Sequence, residues 1–311
     1  MTEPIGIPYV DPFAPAGGPF QGQTLQGVHV TWPVPDGVIA SILPYIGTIK
    51  GVCGTGANLR FAKAARHDIV VVYRDYRVEH PEQPEIFGGK AGAQSYVDRV
   101  WPLWVDAGVL GVADCLEIMN EWMIPGDWYD ALAEFSIYVA DLVGQRGHTI
   151  LTGGFFPGTP EPEDFARMYP YLRYCDGHPV GQWADGTPRY HGLSIHLSGY
   201  MPTHLLKPGT TWWVNNDWVA GRYKFFDEAL RLHHQYSLRE FKGPLMATEL
   251  YWGYGHADET GFWNTEELRA GVRETTRRLS DDGLVDAYHV WSIGQVANWI
   301  DLSPHLPGML E

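Results

Sequence analysis

Two glutamates carry the clearest chemical signal in this chain. Glu121 closes the run Cys115–Glu121 (CLEIMNE), and Glu249 closes Pro244–Glu249 (PLMATE). Each ends an apolar stretch, where water is partly excluded and a carboxyl pKa can be pulled in either direction. Glycoside hydrolysis needs two carboxyls facing one bond from opposite sides. One protonates the leaving oxygen; the other attacks or stabilises the anomeric carbon. Taken singly, either glutamate reads as a surface loop residue. Taken together, with Trp122, Tyr251 and Trp252 beside them, they read as a catalytic pair.

The elements that must position the pair alternate along the chain. Short β-branched runs read as strands over Leu25–Val30, Ile49–Cys53, Ile69–Tyr73, Cys115–Met119, Thr149–Gly153, Leu193–Leu197, Pro244–Leu250 and Val285–Ile293. Between them lie segments of helical period: from Asp36, whose carboxylate is placed to cap free N–H groups, and over Ala57–Arg66, Ala91–Ala107, Trp128–Val143, Pro162–Tyr171, Arg222–Leu238 and Thr265–Asp281. Asn264 and Glu267 form a capping-box-like start to the last of these. Eight strands alternating with helices predict an α/β fold, a single (β/α)8 TIM barrel, over 25–311 after an N-terminal extension, 1–24. Only 294–311 follow the eighth strand, so the eighth helix is expected to be short or replaced. A doubly wound open sheet is the competing topology, but no Gly-rich phosphate loop follows the first strand.

In such a barrel, functional side chains project from the C-terminal ends of the strands. That rule selects His29 and Trp32, Arg74 and Asp75, Asn120 with Glu121 and Trp122, His196 and Tyr200, Glu249 with Tyr251 and Trp252, and Trp291. Strands four and seven lie across the mouth from one another, so Glu121 and Glu249 can face a single bond. Glu117 shares the side of Glu121 by strand alternation and is expected to be a buried structural carboxylate bonded to a neighbour such as Arg74. The loop 198–221 holds Trp212, Trp213, Asn215, Asn216 and Trp218. It suits sugar binding and a self-packed lid equally well. Tyr254 and Phe155–Phe156 are further candidates near the mouth.

The composition agrees with a neutral ligand that stacks on rings. The 311 residues include 13 Trp and 17 Tyr, with only 19% charged residues and a net charge of −15. The acidic balance gives no basic footprint for nucleic acid. No run is long enough to span a bilayer, and the N-terminus lacks the basic start and apolar core of a signal peptide, which points to the cytoplasm. Three scattered cysteines suit neither a disulfide scaffold nor a zinc cage. His29-Val30-Thr31 is not a His-x-His pair, no His-Glu-x-x-His occurs, and no Gly-x-Ser-x-Gly elbow occurs. No metal and no cofactor are expected.

The run Glu117-Ile118-Met119-Asn120-Glu121 resembles the E-[IL]-x-N-E segment that ends strand four in clan A glycoside hydrolases, the retaining barrel enzymes that include cellulase-like, mannanase-like and β-xylosidase-like families. Pro244–Glu249 resembles their strand-seven segment, Ser194-Ile195-His196 their strand-six segment, and Trp291 their strand-eight tryptophan. The resemblance runs in order from Leu25 to Ile293. It implies a β-linked oligo- or polysaccharide as substrate, Glu121 as general acid and then base, and Glu249 as nucleophile. Asn120 would bond the sugar 2-hydroxyl and the nucleophile, His196 would hold that nucleophile, and Trp291 would be the stacking platform. The family's arginine at the end of strand two is replaced by Cys53-Gly54-Thr55, with Arg74 as a candidate substitute. Trp122 replaces the usual proline, and Tyr200 lies further beyond His196 than the usual His-x-Tyr spacing. A carbohydrate-binding barrel without turnover, and a divalent-metal barrel hydrolase, are the alternative readings.

Overall fold

The computed structural model describes residues 19–20, 23–199, 220–252 and 265–293, apart from the side chains of 199, 252 and 265–270. Eight parallel strands close a barrel: β1 (Leu25–Val30), β2 (Thr48–Val52), β3 (Val70–Arg74), β4 (Cys115–Glu117), β5 (Thr149–Phe155), β6 (Gly192–Gly199), β7 (Leu245–Trp252) and β8 (Ala287–Ile293). They follow one another around the ring in chain order, and β8 pairs back onto β1 with Leu25 opposite Ala287. β2 and β3 are buried along their whole length; β3 (VVVYR) accordingly reads as an apolar run, while β2 (TIKGV) carries a buried lysine.

The helices are α1 (Asp36–Ile42), α2 (Gly56–Ala65), α3 (Gln83–Phe87), α4 (Gly89–Asp106), α5 (Tyr129–Gly144), α6 (Pro162–Ala166), α7 (Tyr169–Gly177), α8 (Arg222–His234) and α9 (Thr265–Asp282). α5 shows how they attach. Leu132, Phe135, Ser136, Val139 and Val143 recur at three- and four-residue spacing and are all buried. Three boundaries differ from the sequence reading. Asp36 is the first helical residue rather than the cap, and no side chain caps α1, so its charge acts on the helix dipole instead. The segment expected as one helix over Pro162–Tyr171 is two, with Pro170 in the first turn of α7 marking a new start. α8 stops at His234 because Gln235 turns left-handed, at φ 53°. Residues 294–311, where the eighth helix was in question, and the capping box at Asn264 and Glu267 lie outside what is described.

Two cores result. The larger lies between the strands and the helices. The smaller fills the lower barrel with Val70, Val72, Cys115, Leu151, Met246 and Ala287. It is closed from below by Phe20, which meets Trp183 edge to face at 5.6 Å. Trp183 sits in the turn of a short hairpin, Gly181–Gln182 with Pro188–Arg189, that the sequence reading did not anticipate. Among the described residues no helix is long and apolar enough to cross a membrane.

Candidate active site

The upper half of the barrel interior is polar. Thr48 of β2 meets Nε2 of His289 from β8 at 2.9 Å. Burial, helped by the charge of Lys50, pushes the His289 imidazole down to about 3. One layer higher, Lys50 of β2 is completely buried and places Nζ 2.6 Å from Glu117 Oε2 and 3.1 Å from Glu249 Oε1. Glu117 also accepts a hydrogen bond from Thr248 at 2.5 Å. Arg74, at the end of β3, lies 3.2 Å from Glu249 Oε1 and 3.9 Å from Glu117, and its guanidinium donates to Asn120 Oδ1. Glu117 is thus the buried structural carboxylate expected, with Lys50 rather than Arg74 as its main partner.

Glu249 is delivered by an irregularity in β7. Ile195 of β6 faces Ala247 while the next residue, His196, faces Glu249, so Thr248 is an extra residue in the ladder. β8 registers the same insertion, with Tyr288 opposite Ala247 and Val290 opposite Leu250. A bulge of this kind lets two consecutive side chains point the same way. Thr248 reaches inward to Glu117, and Glu249 reaches inward to Lys50 and Arg74.

Glu121 is held by a different device. It lies beyond the end of β4 in a left-handed conformation, φ 42°, which is uncommon for a residue with a side chain. Its N–H donates to Gly154 O at 2.6 Å, and the N–H of Asn120 donates to Glu79 O at 2.8 Å. Gly154 is itself left-handed, and a Cβ there would stand 2.3 Å from Met119 O. Only glycine lets β5 come this close to the loop that carries the glutamate. The same irregularity shifts the β5 register between Gly153 and Phe155. Phe155 is therefore turned out of the barrel against Phe165 and Phe226, which corrects the expectation that it stands at the mouth.

His196 of β6 joins the two glutamates. Its Nδ1 is 3.0 Å from Glu121 Oε1 and 3.7 Å from Glu249 Oε2, while Nε2 is 3.8 Å from Glu117. Burial alone would lower its pKa, but Glu249, Glu117 and Glu121 together raise it. Burial would likewise raise Glu249. His196, Lys50 and Arg74 outweigh it and hold that carboxyl well below the ordinary range. His29 of β1 is 1% exposed, lies 3.6 Å from Glu249 Oε1, and has no hydrogen-bond partner on either ring nitrogen among the described residues. Burial, then the neighbouring Lys50, lowers its pKa well below the usual value, so it is neutral.

Above these groups opens a cavity of about 380 Å³. Of the residues picked from sequence, His29, Trp32, Arg74, Asn120, Glu121, Glu249, Tyr251 and Trp291 line it, and His196 bonds to the lining from beneath. Thr31, Val52 and Tyr76 line it too and were not anticipated. Trp122 is not among the lining residues; it stacks on His80, with centroids 4.5 Å apart. Tyr200, Tyr254, the loop residues Trp212, Trp213, Asn215, Asn216 and Trp218, and the side chain of Trp252 lie outside the described residues, although the backbone of Trp252 pairs with Gly199 at the end of β7.

Lys50 is the functional residue that sequence reasoning missed. It stands on β2, three residues before Cys53, and bridges Glu117 and Glu249. Glu121, His196 and Glu249 also offer donor atoms within 4.8 Å of one another, a spacing that could hold a metal ion. Lys50 and Arg74 already bond Glu249 from within, so a cation there would meet two fixed positive charges. The set fits an ion-pair network better than a metal cage.

No family model and no curated protein sequence matches the chain. Solved structures do. A GH5-4 broad specificity endoglucanase from an uncultured bacterium superposes with a TM-score of 0.55 at 10% identity, covering 92% of this chain and 90% of that one. CJP38, a β-1,3-glucanase and allergen of Cryptomeria japonica pollen, gives 0.52 at 13% identity, covering 90% and 95%. A GH2 β-galacturonidase from Eisenbergiella tayi gives 0.51 at 12% identity over 93% of this chain but only 47% of its own. At these identities the likeness is one of fold: the chain is a (β/α)8 barrel of the kind that clan A glycosidases use.

Proposed function

We propose that the chain is a retaining O-glycoside hydrolase acting on a β-linked oligo- or polysaccharide, with Glu249 as nucleophile and Glu121 as acid and base. The observation that carries this reading is the approach of the two carboxylates. One oxygen of each, with a nitrogen of His196, lies within 4.8 Å. That is well short of the about 6.5–9.5 Å at which inverting enzymes seat a water and close to the about 5–5.5 Å of double displacement.

The groups divide the work by environment. Glu249 is kept ionised by the charges of Lys50 and Arg74, with the imidazole of His196 beside it, as an attacking carboxylate must be. Glu121 and His196 hold a proton between them across 3.0 Å, and that proton goes to the leaving oxygen. The same pair then takes a proton from the water that cleaves the glycosyl-enzyme. Trp291 and Tyr251, 6.1 Å apart, supply ring faces for a pyranose. Asn120, fixed by Arg74, and His29, whose ring nitrogens have no hydrogen-bond partner among the described residues, supply partners for its hydroxyls.

The test is a pair of variants assayed on a panel of aryl glycosides and polysaccharides. Glu249→Ala should lose hydrolysis by at least ~10⁴-fold, with azide restoring turnover to a product of inverted anomeric configuration. Glu121→Gln should slow substrates with poor leaving groups far more than activated aryl glycosides, because only the former need protonation. Wild-type rates in both variants would refute the assignment.

A further inference from the structure

The two oxygens of Glu249 are not equivalent. Lys50 Nζ at 3.1 Å, Arg74 at 3.2 Å and His29 Nδ1 at 3.6 Å all converge on Oε1. Among the described residues Oε2 has only His196, at 3.7 Å. We propose, resting on the retaining reading above, that Lys50 is a positioning residue that anchors Oε1, leaves Oε2 as the attacking atom, and acts mainly in the second half of the reaction. Lys50 itself does not touch the sugar. It is sealed below the cavity by the carboxylate it holds and is fastened from the far side by Glu117, 2.6 Å away.

In the first step Oε2 gives its electron pair to the anomeric carbon. The bond from that carbon to the leaving oxygen breaks, and the leaving oxygen takes the proton of Glu121. Glu249 becomes a neutral ester whose carbonyl oxygen is Oε1, still within reach of Lys50 and Arg74. Before this step the buried cluster holds two cations, Lys50 and Arg74, against two anions, Glu117 and Glu249. Afterwards one positive charge is in excess beside the ester. In the second step water attacks the carbon, its proton goes to Glu121, and the electron pair of the C–Oε2 bond returns to Glu249. The excess charge is satisfied only when that carboxylate reforms. Lys50 therefore opposes the attack slightly, by weakening the nucleophile, and favours the departure.

The two half-reactions separate the readouts. Lys50→Met combined with Glu117→Gln removes both buried charges, so neither is left uncompensated. With an activated aryl glycoside, this variant should show a burst of about one aryl alcohol per active site. Its kcat should fall at least tenfold while single-turnover glycosylation falls less than threefold, and intact-mass spectrometry at steady state should show the glycosyl adduct. Lys50→Arg keeps the charge and should accumulate no adduct. Glu117→Gln alone leaves Lys50 to Glu249 and should act in the opposite sense, slowing glycosylation without accumulation; this single variant serves if the double one does not fold. A double variant with kcat within twofold of wild type, or with both steps slowed equally and no adduct, overturns the inference, as does an adduct accumulating in Glu117→Gln. A wild-type chain that cleaves no glycoside, and takes up no label from an activated 2-deoxy-2-fluoro glycoside, overturns the retaining reading itself. An active, labelled wild type with an adduct-free double variant overturns the role of Lys50 alone.

Discussion

Replacing Gly154 by alanine tests whether the geometry of Glu121 depends on a backbone contact rather than on its own side-chain bonds. The added Cβ would lie 2.3 Å from Met119 O. Carbon and oxygen settle at about 3.3 Å, so one backbone must retreat by about 1 Å. Gly154 is also left-handed, at φ 49°, a conformation that costs a residue with a Cβ about 1–2 kcal/mol. With overpacking of about 1–3 kcal/mol added, the expected loss of stability is about 2–5 kcal/mol. The displacement reaches the site directly, because Met119 precedes Glu121 by two residues and Gly154 O accepts the Glu121 N–H. A reacting group moved by about 1 Å loses on the order of 10²-fold in rate. Urea unfolding and kcat/KM on a glycoside with a poor leaving group would measure the two effects together. The reasoning fails if Gly154→Ala stays within ~0.5 kcal/mol of wild type and within twofold of its rate.

Other outcomes follow from buried groups away from the mouth. His191 and His289 are both pushed down to about 3 by burial, so the folded chain refuses protons that the unfolded chain accepts below pH 6.5. Each histidine makes stability rise with pH across the window from 3 to 6.5, while Asp286, pushed up to about 7 by burial, acts in the opposite sense and offsets about one of them. Stability should therefore fall by about 1–2 kcal/mol between pH 6 and pH 5, which denaturant titration at the two pH values would detect. His29, also lowered, adds in the same direction. His196, which is raised, acts with opposite sign and only above pH 6.5. Phe20→Ala should cost about 3–5 kcal/mol by opening the floor of the barrel, seen as a lower Tm, while kcat/KM measured well below that Tm stays at the wild-type value.

The parts legible in the sequence were those fixed by local pattern. All eight strands were placed within two residues at most of their ends, because a strand buried on both faces is a continuous apolar run whatever it packs against. The glutamates were legible for a similar reason: each is the first charged residue after such a run or stands close beyond it. What escaped was decided by partners distant in sequence. Lys50 stands in Thr-Ile-Lys-Gly-Val, where a lysine ordinarily marks a solvent-facing position; its burial makes sense only once Glu117 and Glu249 are known to face it, 67 and 199 residues on. Phe155 was misplaced because the strand was ended at Gly153, whereas its pairing with β6 continues through a register shift to Phe155. Trp183 could not be assigned to the barrel floor, since its hairpin is two residues deep on each side and leaves no periodic signal.

The extra residue at Thr248 divides β7 into two reading frames. Below it Met246 looks into the barrel and Ala247 toward the helices; above it Glu249 and Tyr251 look inward and Leu250 outward. The floor and the mouth of this strand are thus out of phase with each other. Deleting Thr248 would restore strict alternation, with Ala247 outward and Glu249 still inward, and would cost the hydroxyl that bonds Glu117. Straightening the strand with Thr248 kept would instead send Glu249 into the helical layer and Leu250 into the cavity. For anyone transplanting loops onto this scaffold, the boundary lies at Thr248: a segment that includes Thr248 keeps its phase above it only if the bulge is retained as well.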